Sequence, residues 1–227
     1  MQFFRRWQPP LALSFDLDDT LYDNRPVIRR ATQWMTDTLA DELGRRINWV
    51  AYKEQALQQD PSLVHDVTEW RRAWLYLGLK TQGIAHPKAR ADELLDAFVA
   101  VRSDFVVPEA SHQLLKTLAE RYPLVAMTNG NVDIHKIGLA PYFTHIYYAG
   151  GGYRQKPHAD LFTHAAAALQ LAPAQMAHIG DDPITDVYGA VSNGYQAIWL
   201  NDQQHSMPVV LPHLMVTTLD ELSAPLL

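Results

Sequence analysis

From Val107 onward, short apolar runs alternate with stretches of helical period, and this alternation limits the architecture more than any other feature. Leu124–Thr128, Ile146–Ala149, Ala177–Gly180 and Gln196–Leu200 are short, largely apolar runs, the pattern of strands covered on both faces. Helices are predicted between them at about Glu109–Arg121, His158–Leu171 and Ile184–Asn193. A strand that must cross over through a helix before pairing again lies parallel to its predecessor. Leu11–Phe15 is another run of this kind. Placing it in the same sheet gives an α/β fold: a parallel sheet with helices on both faces.

The segment between that first strand and Val107 has a different texture. Val27, Ala31, Met35 and Leu39 recur every four residues, with Asn24 as the expected cap, Pro26 in the first turn and Gly44 as the stop. Further helices are expected at Trp49–Gln59, Val67–Leu79 and Pro87–Asp104, broken by Asp60-Pro61 and by Gly83 to His86. A helical block is thus inserted after the first strand. The tail from Val209 to Leu227 carries a short strand, Met215–Thr217, and a short helix from Asp220.

Composition excludes several classes of function. With 227 residues, 48% of them hydrophobic, the chain can bury a sizeable core, and its lack of cysteine rules out disulfides, thiolate zinc sites and a thiol nucleophile. A formal charge of -6 argues against a broad basic face for nucleic acid. Met1–Pro10 lacks the apolar core of a secretory signal, and no run approaches the ~18 apolar residues of a membrane span. The expectation is a cytoplasmic protein acting without a nucleic-acid or membrane partner. No pattern specifies an oligomeric state.

Chemistry concentrates where apolar runs end. Phe15-Asp16-Leu17-Asp18-Asp19-Thr20 delivers three carboxylates within four residues, at the carboxyl end of a strand, where open α/β sheets bind ligands. Alternation in extended backbone points Asp16 and Asp18 the same way. His178-Ile179-Gly180-Asp181-Asp182-Pro183-Ile184-Thr185-Asp186 repeats the design. Asp182 also suits a helix cap ahead of Pro183. Each acidic turn alone is compatible with a solvated loop. Two acidic strand tips facing one another require a divalent cation, and hard oxygen ligands favour Mg²⁺.

Thr128-Asn129-Gly130-Asn131 follows a strand and precedes an expected helix, offering a hydroxyl and backbone N–H groups for an anion. Lys156-Pro157 follows Gly150-Gly151-Gly152 and precedes another helix, so its ammonium can neutralise both a phosphate and a carboxylate that attacks it. Singly, each also reads as an ordinary turn or a surface lysine.

With these motifs in this order, the sequence resembles the haloacid dehalogenase superfamily of phosphatases. The resemblance rests on Asp16-Leu17-Asp18-Asp19-Thr20, Thr128-Asn129-Gly130, Lys156-Pro157, and Gly180-Asp181-Asp182 with Asp186. It implies a Rossmann-like core of residues 1–22 and 106–227 and an α-helical cap of residues 23–105. It further implies Asp16 as nucleophile, Asp18 as general acid and base, Lys156 for charge balance, and Thr128, Asn129, Gly130 and Lys156 around the phosphate. Mg²⁺ is expected on Asp16, the Asp18 backbone carbonyl and Asp181, with Asp186 acting directly or through water. Dehalogenases of the superfamily lack the acid two residues after the nucleophile, so Asp18 favours a phosphomonoester of a small metabolite. A sugar phosphomutase and a non-catalytic metabolite-binding relative are the alternatives. A narrower likeness, to bacterial flavin mononucleotide phosphatases, rests on Phe15 to Pro26, His65 to Arg71 and Thr128 to Asn131, and points to a riboflavin-pathway phosphate.

Within the insert, Trp34, Trp49, Trp70, Trp74, Tyr52 and Tyr76 could stack on a flat heterocycle or fill a small core. Arg25 and Arg71 are candidate polar contacts, and Asp66 is read as a helix cap. None of the ten histidines shows a zinc spacing. His178 is expected to be a hydrogen-bonded core residue, and His135 is a candidate neighbour of the phosphate loop.

Overall fold

The structure, a computed structural model, describes residues 1–201 and 206–227. Its sheet has the order β1-β7-β6-β5-β2-β3-β4. The strands are β1 (Gln2–Phe3), β2 (Ala12–Phe15), β3 (Leu124–Thr128), β4 (His145–Tyr148), β5 (Met176–Gly180), β6 (Gln196–Leu200) and β7 (Leu214–Val216). Every pairing is parallel except β1 with β7. The α/β expectation therefore holds, with one addition: Gln2–Phe3 forms an antiparallel edge strand. Two exposed residues give no periodicity to detect. Gln196 helps fasten the segment that follows, since its side-chain amide accepts from Gln8 N at 2.8 Å and donates to Gln8 O at 2.9 Å.

Alternation along the strands divides the core between two faces. Leu13, Phe15, Ala126, Ile179 and Ile198 pack with Leu114, Leu115 and Leu118 of α5 (Glu109–Ala119) on one face. On the other, Ala12, Val125, Met127 and Trp199 meet Leu161, Phe162 and Ala165 of α6 (Ala159–Leu169).

The insert comprises α1 (Asn24–Leu43), α2 (Val50–Gln59), α3 (Val67–Thr81) and α4 (Pro87–Arg102) around its own core of Ala31, Met35, Leu39, Trp74, Leu75, Leu79, Leu94 and Phe98. The α1 cap is Asp23 rather than Asn24, its carboxylate accepting from Arg25 N at 3.1 Å. Asp66 caps α3 as expected, accepting from Thr68 N and Glu69 N. Its second oxygen accepts from Gly151 N at 3.1 Å. Asn131 Nδ2 donates to Thr68 Oγ1 at 3.2 Å, and Lys136 Nζ to Ala100 O at 2.7 Å. These bonds tie the insert to loops at the carboxyl ends of the strands.

Two helical expectations are corrected. The segment after Asn131 forms successive turns over residues 134–138 and not a helix. The stretch expected as a helix over Ile184–Asn193 opens as a π-type turn, Pro183–Tyr188, before the short α7 (Gly189–Ser192). Asp182 causes this widening: its carboxylate accepts from Ile184 N and Thr185 N, while its carbonyl accepts from both Asp186 N and Val187 N at 3.1 Å. Such turns concentrate at functional sites. The chain ends in α8 (Ser223–Leu226), which follows a 3₁₀ turn at Leu219–Leu222.

Replacing Leu115, fully buried between α5 and the sheet, by Ala should cost about 2–5 kcal/mol. Urea unfolding is the measurement, with Val106→Ala, at a position 93% exposed, as a control expected to stay within about 0.5 kcal/mol of wild type.

Candidate active site

Strand register brings the two acidic tips together. In the parallel pair β2–β5, Phe15 lies opposite Ile179, and Asp16 N donates to Ile179 O at 2.9 Å. The residues leaving each strand, Asp16 and Asp181, therefore emerge side by side. Asp186 joins them, and one carboxylate oxygen from each of the three lies within 4.8 Å of the others, all three residues buried. Asp186 reaches the cluster because the π-type turn aims it back across Gly180, where a β-carbon would stand 2.2 Å from Asp186 Cγ. Only glycine fits there.

Lys156 completes the group. Its ammonium, 1% exposed, donates to Asp16 Oδ1 and Asp186 Oδ1, each at 2.7 Å. Burial opposes its charge, but Asp16 and Asp186 outweigh that and raise the lysine above its ordinary value. The side chain of Asn129 holds the lysine backbone from both sides, accepting from Lys156 N at 2.8 Å and donating to Lys156 O at 3.0 Å. Asn129 thus anchors Lys156 through its side-chain amide.

His178 is hydrogen-bonded in the core, as expected, and it also supports the site. Burial and the charge of Lys156 lower it, keeping the ring neutral. Nε2 lies 3.1 Å from Asp186 Oδ1, an acceptor only, so Nε2 carries the proton and Nδ1 accepts from Ser14 Oγ at 2.9 Å. Asp186 also accepts from Asp182 N at 3.0 Å. Burial pushes its carboxyl up, but Lys156 and His178 hold it well below the usual range.

Asp18 has two partners that the sequence did not announce. Tyr22 Oη donates to its Oδ1 at 2.6 Å, and Arg102 Nη2 to its Oδ2. Arg102 ends α4 and is 2% exposed. It also donates to Asn131 Oδ1 at 3.3 Å. Gly130 lies against this pair, with room for no side chain: a β-carbon would be 2.5 Å from Asp18 Oδ2. Thr128, buried, accepts from Gly130 N at 2.9 Å and keeps its own hydroxyl proton for another acceptor.

The donor set fits Mg²⁺. Three carboxylates converge, and hard oxygens are what that ion takes. Burial raises Asp16 well above the ordinary range against the pull of Lys156, with Asp186 and Asp18 adding to the rise. Burial, then the charges of Asp186 and Asp19, raises Asp181 to about 7. Carboxylates so crowded need more positive charge than Lys156 supplies.

A model of haloacid dehalogenase-like hydrolases matches residues 11–194. The chain belongs to that family. Across 99% of both chains it is 36% identical to the 5-amino-6-(5-phospho-D-ribitylamino)uracil phosphatase YigB of Escherichia coli K12. It is also 28% identical to the phosphoserine phosphatase of Thermus thermophilus, over 83% of this chain and 88% of that one. The crystal structure of a 2-haloacid dehalogenase from Pseudomonas syringae pv. tomato DC3000 superposes with a TM-score of 0.89 at 30% identity, covering 94% of this chain and 96% of that one. As a haloacid dehalogenase-like hydrolase with phosphatases among its curated relatives, this chain is a phosphatase.

Within this family member, Asp16, Asp18, Thr128, Asn129, Gly130, Lys156, Asp181 and Asp186 all gather at one end of β2, β3 and β5. Arg25 is exposed and pairs with Asp23 at 2.7 Å, and His135 is exposed. Trp74 is buried in the insert's core, and Trp49, half-buried, packs tilted against Trp74 and Tyr52 at 5.6 and 5.7 Å. Trp34, Trp70 and Tyr76 pack against that core half-buried. Arg102 and Tyr22 escaped the sequence reading. Tyr22 sits four residues from Asp18, but Arg102 is 84 away, and a terminal helix arginine carries no signal of its partner.

Asp181→Asn should raise the melting temperature of the metal-free protein by about 2–8 °C, the response to 1–2 kcal/mol of relieved charge in a domain this size. It should also abolish the further rise that millimolar Mg²⁺ gives the wild type. Differential scanning calorimetry with and without Mg²⁺ reads both effects.

Proposed function

We propose that this chain is a cytoplasmic, Mg²⁺-dependent phosphomonoesterase. Its mechanism proceeds through an aspartyl-phosphate on Asp16, and its substrate is a small riboflavin-pathway phosphate. The observation that carries the mechanism is the Asp16 carboxylate: buried, held at Oδ1 by Lys156, and followed two residues later by Asp18. Asp18 also separates ester from halide chemistry, because an alkoxide leaving group needs a proton and a halide does not. The substrate class rests on the likeness to the E. coli enzyme over nearly the whole chain. Residues 23–105 are proposed as a cap over the core of residues 1–22 and 106–227, since Arg102 and Thr68 of the helical block bond residues at the site.

Asp16 attacks phosphorus while the bond from phosphorus to the ester oxygen breaks, and Asp18 gives its proton to that oxygen. Asp18 then takes a proton from water, whose oxygen attacks phosphorus and breaks the bond to Asp16, returning the carboxylate and releasing phosphate. Arg102 is a donor only, so its bond to Asp18 must give way before that carboxyl can reach the ester oxygen. An incoming phosphoryl group beside Gly130 offers Arg102 the replacement acceptor. Lys156, the Thr128 hydroxyl and backbone N–H groups at Asn129 meet the phosphoryl oxygens, positioning and neutralising their charge. Asp16, Asp181 and the Asp18 carbonyl are the proposed Mg²⁺ ligands. Asp186, already bonded to Lys156, His178 and Asp182 N, acts through water. The ion would lower the charge repulsion between Asp16 and the phosphate.

Phosphate release from a panel of phosphomonoesters, with Mg²⁺ or with chelator, tests the proposal. The panel includes flavin mononucleotide and the phosphoribitylamino-pyrimidinedione, with a 2-haloacid assayed for halide. Mg²⁺-dependent phosphate release without halide release is expected. Asp16→Asn should lower kcat by about three orders of magnitude or more, and Asp18→Asn by about 10²–10⁴-fold. Wild-type turnover in Asp16→Asn would refute the nucleophile, and an isomerised phosphate in place of free phosphate would indicate a mutase.

A further inference from the structure

A cavity of about 60 Å³ lies inside the helical insert, lined among others by Thr32, Thr36, Lys53, Trp70, Arg71 and Trp74. Two of these side chains are cationic, and neither forms an ion pair among the described residues. The Arg71 guanidinium lies over the Phe98 ring at 4.0 Å, and its Nη1 is buried with no hydrogen-bond partner. Lys53 Nζ stands 5.2 Å from the Trp74 ring centroid. Three other arginines of the insert are paired: Arg90 with Glu42 and Glu93, Arg72 with Asp92, and Arg102 with Asp18. Burial and then the charge of Arg102 lower Arg71 to about 10, while burial and then Arg71 lower Lys53. A buried donor without an acceptor is costly, and two like charges sharing one cavity add to that cost.

We propose that Arg71 and Lys53 form a subsite for electron-rich acceptor oxygens on the leaving group of the substrate, either a carboxylate or the carbonyl oxygens of a pyrimidinedione ring. The location fits, because Arg71 lies over Phe98, one turn before Arg102 on α4, and one turn after Thr68 on α3, while Arg102 bonds Asp18 and Thr68 accepts from Asn131. The size fits as well: about 60 Å³ is several times the ~10–15 Å³ that one water needs. That admits a carboxylate or one edge of a ring, while a fused tricycle must stay outside. Aromatic walls at Trp70 and Trp74 exclude solvent and strengthen a charge-assisted bond there. The inference rests on the phosphatase reading and specifies which leaving groups that same site selects.

The test compares kcat/KM for the phosphoribitylamino-pyrimidinedione, phosphoserine and glycerol phosphate within each variant, so that any loss of folded protein cancels in the ratios. Wild type should favour one acceptor-bearing ester over glycerol phosphate by roughly tenfold or more, the scale of one charge-assisted hydrogen bond. Arg71→Met and Lys53→Met should each collapse that ratio, with Arg71→Lys restoring part of it. The ester that shows the collapse identifies the source of the acceptor oxygens. Equal ratios in wild type and both Met variants, or no preference in wild type, would overturn the subsite. Calorimetry with the dephosphorylated ribitylamino-pyrimidinedione and with serine gives a readout independent of turnover. Binding of either by wild type that Arg71→Met weakens supports the subsite even if no ester is hydrolysed, whereas no binding by wild type, or equal binding by both, counts against it. Absence of phosphate release from every ester would instead remove the phosphatase mechanism.

Discussion

The Lys156 ammonium, buried between the carboxylates of Asp16 and Asp186, is the interaction on which the rest of the site depends. A charge removed from water persists only with close, well-oriented partners. Here those partners come from two chain segments, fixed by the parallel register of β2 against β5 and by the π-type turn after Asp182. Asn129, at the end of β3, fixes the lysine backbone, so a third strand is committed to the same point. The fold delivers these groups to one end of the sheet, and Lys156 keeps them there.

The balance of charge around that lysine is uneven. Asp16, Asp18, Asp181 and Asp186 are met by Lys156 and Arg102, so acids outnumber bases by two. The raised carboxyls of Asp16 and Asp181 express this excess. A divalent cation is its chemical complement, and a phosphate dianion approaching the site makes the need for one more acute. His178 belongs to the same economy of charge: a neutral ring donates to Asp186 without adding a competing cation.

Much of this arrangement was legible because it is written locally. An apolar run followed by acids states both a strand and the end at which it leaves the sheet, as at Phe15-Asp16 and Gly180-Asp181. The parallel sheet follows from helices lying between such runs. What escaped depends on distant contacts or on departures from regular period. Arg102 lies at the end of a helix of ordinary amphipathic pattern, and its bond to Asp18 exists only because the insert folds back over the strand ends. The π-type turn arises from the carbonyl and carboxylate of one residue, Asp182, which a 3.6-residue period cannot reveal. Asp133 caps only one turn after Asn131, accepting from His135 N and Lys136 N, because Gly138 at φ 77° ends it at once. Helical periodicity placed the insert, yet it could not separate rings that pack on its core, such as Trp49, from side chains that line its cavity, such as Arg71.

The helical insert and the sheet therefore contribute different things. The strand ends supply the reacting carboxylates, while the insert supplies Arg102 to one of them and encloses the cationic cavity. The central claim is that the tips of β2 and β5 share a single cation. Anomalous diffraction from crystals of the protein soaked in Mn²⁺, a stand-in for Mg²⁺, measures this directly. One strong peak within direct ligand distance of both Asp16 and Asp181 is expected. A fully soaked crystal whose manganese lies elsewhere, or touches only one of these two residues, would contradict it.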